Sequence, residues 1–131
     1  MLQVDKELLL KDVCARLPYG VRYRHLAWDD EHGEDYIAAK IYSINSDGYI
    51  KNCYNNETVY IDNVRPYLFP LSSMTEEQKK EYQYITERWM NDPVYSISDS
   101  IDWLNKNHFD YRGLIEKGLA LEASEEMYKT E

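Results

Sequence analysis

Long apolar runs are missing from this sequence. The N-terminal one, Leu8–Leu10, is three residues long and is bracketed by Lys6, Glu7, Lys11 and Asp12. It is too short for the core of a signal peptide or for a membrane span, so a cytoplasmic protein with no membrane partner is expected. Cysteine is scarce. Cys14 and Cys53 stand far apart with no C-x-x-C spacing, which argues against a disulfide framework and for two small, buried, inert thiols in a reducing compartment. The five glycines are scattered, so no glycine loop that cradles phosphate is present. Basic residues are outnumbered 15 to 24, for a net charge of −9, which disfavours indiscriminate binding of a phosphate backbone.

Tyrosine is abundant, at 13 residues against two phenylalanines. Tyrosine therefore does much of the aromatic core work, and any exposed remainder suits a recognition surface. Charge is unevenly spread. Residues 1–28 carry five basic and three acidic side chains, the stretch "DDEHGED" at 29–35 is almost wholly acidic, and residues 76–131 carry seven basic against thirteen acidic. At 131 residues the chain reads as a single domain. It divides into an N-terminal helix (1–20), a β-meander or barrel (21–71) and a C-terminal helical segment (72–131).

"VDKELLLKDVCARLPYG" reads as a helix capped by Asp5, with Val4 and Leu9 at the staple positions. Leu9, Val13 and Leu17 form the apolar stripe, Leu10 and Cys14 widen it, and Pro18 and Gly20 stop it. "VRYRHLAW" (21–28) then alternates with period two, as do "YIAAKIYSI" (36–44), "YIKNCY" (49–54) and "TVYID" (58–62). "NSDG" between the second and third marks a hairpin, with Gly48 able to take positive φ, and "NNE" marks the next turn. "NVRPYLFPL" (63–71) carries Pro66 and Pro70, which suit an edge or a short final strand. Four or five short antiparallel strands in this length predict a small SH3-like barrel, with an open sheet covered by helices on one face as the alternative. The fold class is α+β, with two or three C-terminal helices. Thr75 and Gln78 stand at capping-box spacing ahead of a helix that stops at Pro93, with Tyr82, Ile85, Trp89 and Met90 inward. "SISDSIDWLNKNHF" predicts a further helix, capped by Ser96 or Ser98, with Ile101 and Leu104 inward.

In "HFDYRGLIEKGLALEA" (108–123), Asp110 caps a short helix over 111–117 and Gly118 supplies a left-handed stop. "LALEA" leaves as an extended segment that can add a strand. Tyr111 and Arg112 then serve as anchors, Arg112 by pairing with a carboxylate, and Gly113 leaves room for something to approach its backbone. The wording "KDVCARLPYGV", "RPYLFPLSSMTEE", "IDWLNKNHFDYRGLIEKGLALEA" and the later "MY" resembles a group of short proteins from gut bacteria of the Bacteroides type and their phages. That resemblance covers the start and the second half of the chain. It implies an origin in a bacterium or its mobile elements and carries over no reaction, cofactor or catalytic residue.

The residues themselves offer little catalytic chemistry. His25, His32 and His108 have no local partner motif, and the acidic loop 29–35 matches neither an EF-hand nor a zinc site. A solvated hairpin tip is the simpler account of that loop. No enzyme activity, cofactor or metal is expected. Arg22, Arg24, Lys40 and Lys51 are the nucleic-acid or partner-binding candidates, because they lie on adjacent strands among tyrosines; a strand surface paired with the acidic loop or with C-terminal carboxylates is the simpler account of them. The expectation is a non-enzymatic binding or regulatory protein that engages a host or phage protein through exposed tyrosines and the acidic loop. The alternatives are a nucleic-acid-associated protein using Arg22 and Arg24 and an acidic inhibitor that imitates DNA with its C-terminal carboxylates.

Overall fold

A computed structural model describes residues 1–26, 39–52, 58–91 and 98–129. Helix α1 spans Gln3–Arg16. It starts two residues before the expected cap, with Leu2 in extended conformation at the capping position and Asp5 inside the first turn, where a carboxylate complements the helix dipole. Val4 is exposed, so the hydrophobic staple does not form. A 3₁₀ turn at Leu17–Tyr19 and Gly20 at φ +70° end the helix. The buried face of α1 is Leu9, Asp12, Val13 and Arg16. Cys14, expected inside, is exposed. Asp12 and Arg16 stand one turn apart and pair with each other, so the face carrying them can turn inward and Cys14 turns out.

Strand β1 (Arg22–His25), β2 (Ala39–Ile44), β3 (Tyr49–Asn52) and β4 (Thr58–Tyr60) form the expected antiparallel succession. Between β2 and β3, the Asn45 side chain accepts hydrogen bonds from the Asp47 and Tyr49 N–H groups, and Gly48 sits at φ +89°. The register of β2 on β3 shifts between Ile41 and Ser43, a bulge that bends the sheet. Strand β5 (Val64–Pro70) follows a 3₁₀ turn at Ile61–Asn63.

Two expectations fail at β5. It is the longest described strand, and it lies inside rather than at the edge of a mixed sheet of order β4-β3-β2-β1-β5-β6, with β7 also paired to β5. Its prolines are tolerated because it is paired piecewise. β1 takes Val64–Pro66, β7 (Leu121–Glu122) runs parallel to Tyr67 and Leu68, and β6 (Phe109–Asp110) runs parallel to Phe69 and Pro70. Pro66 and Pro70 thus stand at the ends of pairing blocks, where a missing N–H costs least. The described strands form an open sheet rather than the expected SH3-like barrel.

Side chains alternate across this sheet. Val21, Tyr23, Ala39, Ile41, Ile50, Val59, Val64 and Leu68 pack with Leu9 and Val13 of α1 into the main core. Each such aliphatic chain contributes about 1.5–3 kcal/mol, which holds a 14-residue helix that would be marginal alone. Helix α2 (Glu76–Asn91) begins with the expected capping box, Thr75 N–H donating to Gln78 Oε1 at 2.9 Å and Gln78 N–H to Thr75 Oγ1 at 3.1 Å. Helix α3 (Ser98–Lys106) buries Trp103 and Leu104, while Ile101, expected inward, is exposed. Trp103, Leu104 and Phe109 form a second cluster with Phe69, Met74, Tyr82, Ile85 and Tyr111. Among the described residues, no helix is long and apolar enough to cross a membrane. The acidic loop 29–35, Cys53, the turn 55–57, the side chains of Trp89 and Met90, Pro93 and Ser96 lie outside the described residues.

Candidate functional site

Residues 108–128 carry the polar chemistry of the interior. Asp12 is fully buried and accepts three hydrogen bonds: from Arg16 Nε at 2.9 Å, Arg16 Nη2 at 3.1 Å and Arg112 Nη1 at 2.8 Å. Arg16, also fully buried, donates from Nη2 to the Phe109 carbonyl at 2.6 Å. The Tyr111 ring packs against both guanidinium groups, and its hydroxyl donates to Asn105 Oδ1 at 2.9 Å. Arg112 is thus paired to a carboxylate as expected. The expected helix over 111–117 is instead a set of turns, held by Asp110, whose two carboxylate oxygens accept from the Leu114 and Ile115 N–H groups at 2.9 Å. Gly118 does take a left-handed conformation, φ +74°. Nothing approaches within 4 Å of where a Cβ on Gly113 would lie.

Tyr128 joins the tail to the sheet. Its hydroxyl accepts from the Arg22 N–H at 2.8 Å and lies 2.7 Å from the Tyr67 carbonyl, to which it donates. It therefore bridges β1 and β5 beyond the end of their pairing. Burial holds the Tyr128 phenol well above its usual range, so the proton stays in place. The His108 ring stacks on Tyr128 at 3.7 Å between centroids. Burial, and then the nearby Arg16 charge, lower the His108 pKa to about 4 against an opposing hydrogen bond with the Tyr19 backbone. This histidine is neutral at pH 7.

Over His108 and Tyr128 lies a groove of about 730 Å³. Its lining carries Arg22, Lys40, Lys106 and Lys129 with one carboxylate, Glu125, and the Lys129 ammonium is paired with Glu126 at 3.0 Å. Tyr19 and Phe69 add two further rings to its wall. The stem of Lys40 lies 3.8 Å from where a Cβ on Gly20 would sit.

The structure brings together the four cations named from the sequence. Arg22 stands opposite Lys40 and Arg24 opposite Arg65 in the strand register, and directly opposed residues share a face. That face is the one turned away from α1, because the alternate positions Tyr23, Ala39 and Val64 belong to the core. Lys51 is exposed on β3 next to Tyr49, and Tyr42 is 65% exposed on β2. Ser43, Ile44, Asn45, Tyr49, Lys51 and Thr58 line a second, shallower groove of about 370 Å³. Strand β2 links the two grooves, with Lys40 at the larger, Ser43 at the smaller and Tyr42 between. Arg65 is tied down by the carbonyls of Gly118, Asp62 and Val64. Burial lowers its pKa while Asp62 opposes that shift.

Like charges opposed across neighbouring strands destabilise a sheet. The interior set of Asp12, Arg16, His108 and Tyr128 was not found by sequence reasoning. The signals it left were the opposite charges of Asp12 and Arg16 at i,i+4 and the isolated "MY" at 127–128. Among the described residues, no group of three His, Cys, Asp or Glu side chains is arranged to hold a metal ion.

Fold and face together define an α+β chain with an open mixed sheet, one side covered by a helix and the other cationic and tyrosine-bearing. Comparison with known protein families, with curated proteins and with solved structures found no match for this chain.

Proposed function

We propose that this chain is a small non-enzymatic binding protein of a bacterium or its mobile elements, and that it engages a macromolecular partner through the outer face of β1–β3 and the adjoining groove. The observation that carries the reading is the placement of Arg22, Arg24, Lys40 and Lys51 on one face with the exposed rings of Tyr42 and Tyr49. Two of the described groups with catalytic potential, His108 and Cys14, are not set up for a reaction. His108 is buried and neutral against Tyr128. The thiol of Cys14 lies on the far side of the helix from Asp12 and Arg16, and partial burial raises its pKa, the direction opposite to a nucleophile's needs.

Site-specific photo-cross-linking tests this reading. A photoreactive residue at position 42 or 49 should capture a macromolecule from cells of the source organism. The same residue at exposed Glu77 or Glu87 of α2 should not. Capture from α2 alone, or from neither place, would overturn the assignment.

A further inference from the structure

We infer that the outer face takes single-stranded nucleic acid, lying along β2 from the smaller groove into the larger one; this rests on the binding role proposed above. The larger groove gathers positive charge on a chain whose net charge is −9: Arg22, Lys40 and Lys106 line it with Lys129, which Glu126 neutralises at 3.0 Å, and one lining carboxylate, Glu125. The smaller groove adds Lys51. Lys40, Lys51 and Lys106 are all exposed, and each gives a phosphate a flexible ammonium to meet.

Charge alone would also suit an acidic peptide. The rings decide between them. Tyr42 and Tyr49 are 65% and 45% exposed on an antiparallel sheet, and Tyr49 is braced at 5.1 Å by the Tyr60 ring, whose hydroxyl accepts a hydrogen bond from the Lys6 ammonium. A braced, exposed ring beside a cation is a surface on which a base stacks. Tyrosines also serve protein interfaces, but an acidic peptide offers these rings no flat π face to stack on, whereas every base of a single strand does. Duplex DNA is disfavoured because its bases are already stacked. Repulsion from the acidic C-terminal half decays over about 8 Å at physiological salt, whereas the phosphates of a seated strand touch the lysines directly.

The test uses the full chain and fluorescein-labelled dT12 and U12 oligonucleotides, read by anisotropy. Saturable binding is expected at about 50 mM salt. With phosphate contacts from Lys40, Lys51 and Lys106, it should weaken about 20-fold by 200 mM. Tyr42→Ala and Tyr49→Ala should each weaken binding about tenfold, Tyr42→Ala with an unchanged melting temperature and Tyr49→Ala with a small fall from loss of its Tyr60 contact, while Lys79→Ala with Lys80→Ala on α2 should change binding less than about twofold. Equal affinity for a duplex, or salt-dependent binding untouched by the tyrosine changes, would overturn the stacked single-strand arrangement. No binding at 50 mM, with a protein still cross-linked at positions 42 and 49, would overturn the nucleic-acid inference and keep the binding face. No binding and no cross-link would remove both.

Discussion

Replacing Asp12 with alanine tests the polar interior most directly. The carboxylate has no exposed surface and neutralises Arg16, which is equally buried, and it also pairs with Arg112, whose side chain is 16% exposed. Removing one member of a buried ion pair leaves an uncompensated charge and costs about 3–5 kcal/mol. At roughly 2.1 cal/mol/K of unfolding entropy per residue, a chain of 131 residues changes by about 0.28 kcal/mol per degree. Asp12→Ala should therefore lower the melting temperature by about 11–18 °C. Arg16 would keep its bond to the Phe109 carbonyl, which places the loss toward the lower end. The double variant Asp12→Ala with Arg16→Met should recover at least half of it, because an apolar side chain of similar size replaces a buried pair at little cost. Circular dichroism melts of the three proteins at pH 7 give the answer. A fall of less than about 4 °C, or a double variant no more stable than the single one, would show that the pair does not carry this energy.

Three further perturbations follow from the same region. His108 has a folded pKa of about 4 against about 6.5 when unfolded, so the unfolded chain takes up the proton first; its contribution is complete above pH 6.5 and is lost as pH falls toward 4. Between pH 6.5 and 5 this amounts to about 1.5 kcal/mol, and His108→Gln should flatten that part of a urea-midpoint profile; equal slopes would refute it. Tyr128→Phe removes the acceptor of the Arg22 N–H and the donor to the Tyr67 carbonyl, and should cost about 2 kcal/mol in urea unfolding; an unchanged midpoint would mean that water replaces the hydroxyl. The Cβ of Gly118→Val meets no atom within 4 Å, but the residue must adopt φ +74°, so a loss of about 1–2 kcal/mol is expected from backbone strain; a melting temperature equal to that of the wild type would count against it.

Local signals were legible where one residue makes its own structure. The Thr75–Gln78 capping box, the "NSDG" hairpin and the left-handed Gly118 are all present, because each depends on neighbours within four residues. The strand succession was legible for the same reason, since alternation is a property of each segment. What failed depended on distant partners. A proline-bearing β5 becomes central only because segments from beyond residue 108 pair with it, and nothing within 63–71 announces them. Cys14 was misplaced because a hydrophobicity reading sends Asp12 and Arg16 to solvent. Their mutual pairing, completed from 100 residues away by Arg112, reverses that. Of the candidate face, the residue types were visible, but the sharing of one side by Arg22, Lys40 and Lys51 required the register of three strands.

The piecewise pairing of β5 has a consequence for how the protein is made. When residues 1–107 have left the ribosome, β5 has only β1 to bond with, and Tyr67 and Phe69 still lack Leu121, Ala123, Met127 and Tyr128 over them. The sheet is then an exposed intermediate with open backbone groups and bare rings. Contacts between residues 22 and 128 or 12 and 112 close loops of about a hundred residues, which slows folding. Completion must therefore wait for the tail. During that interval the nascent chain presents a surface that chaperones bind, and the yield of folded protein should depend on how quickly residues 108–128 follow.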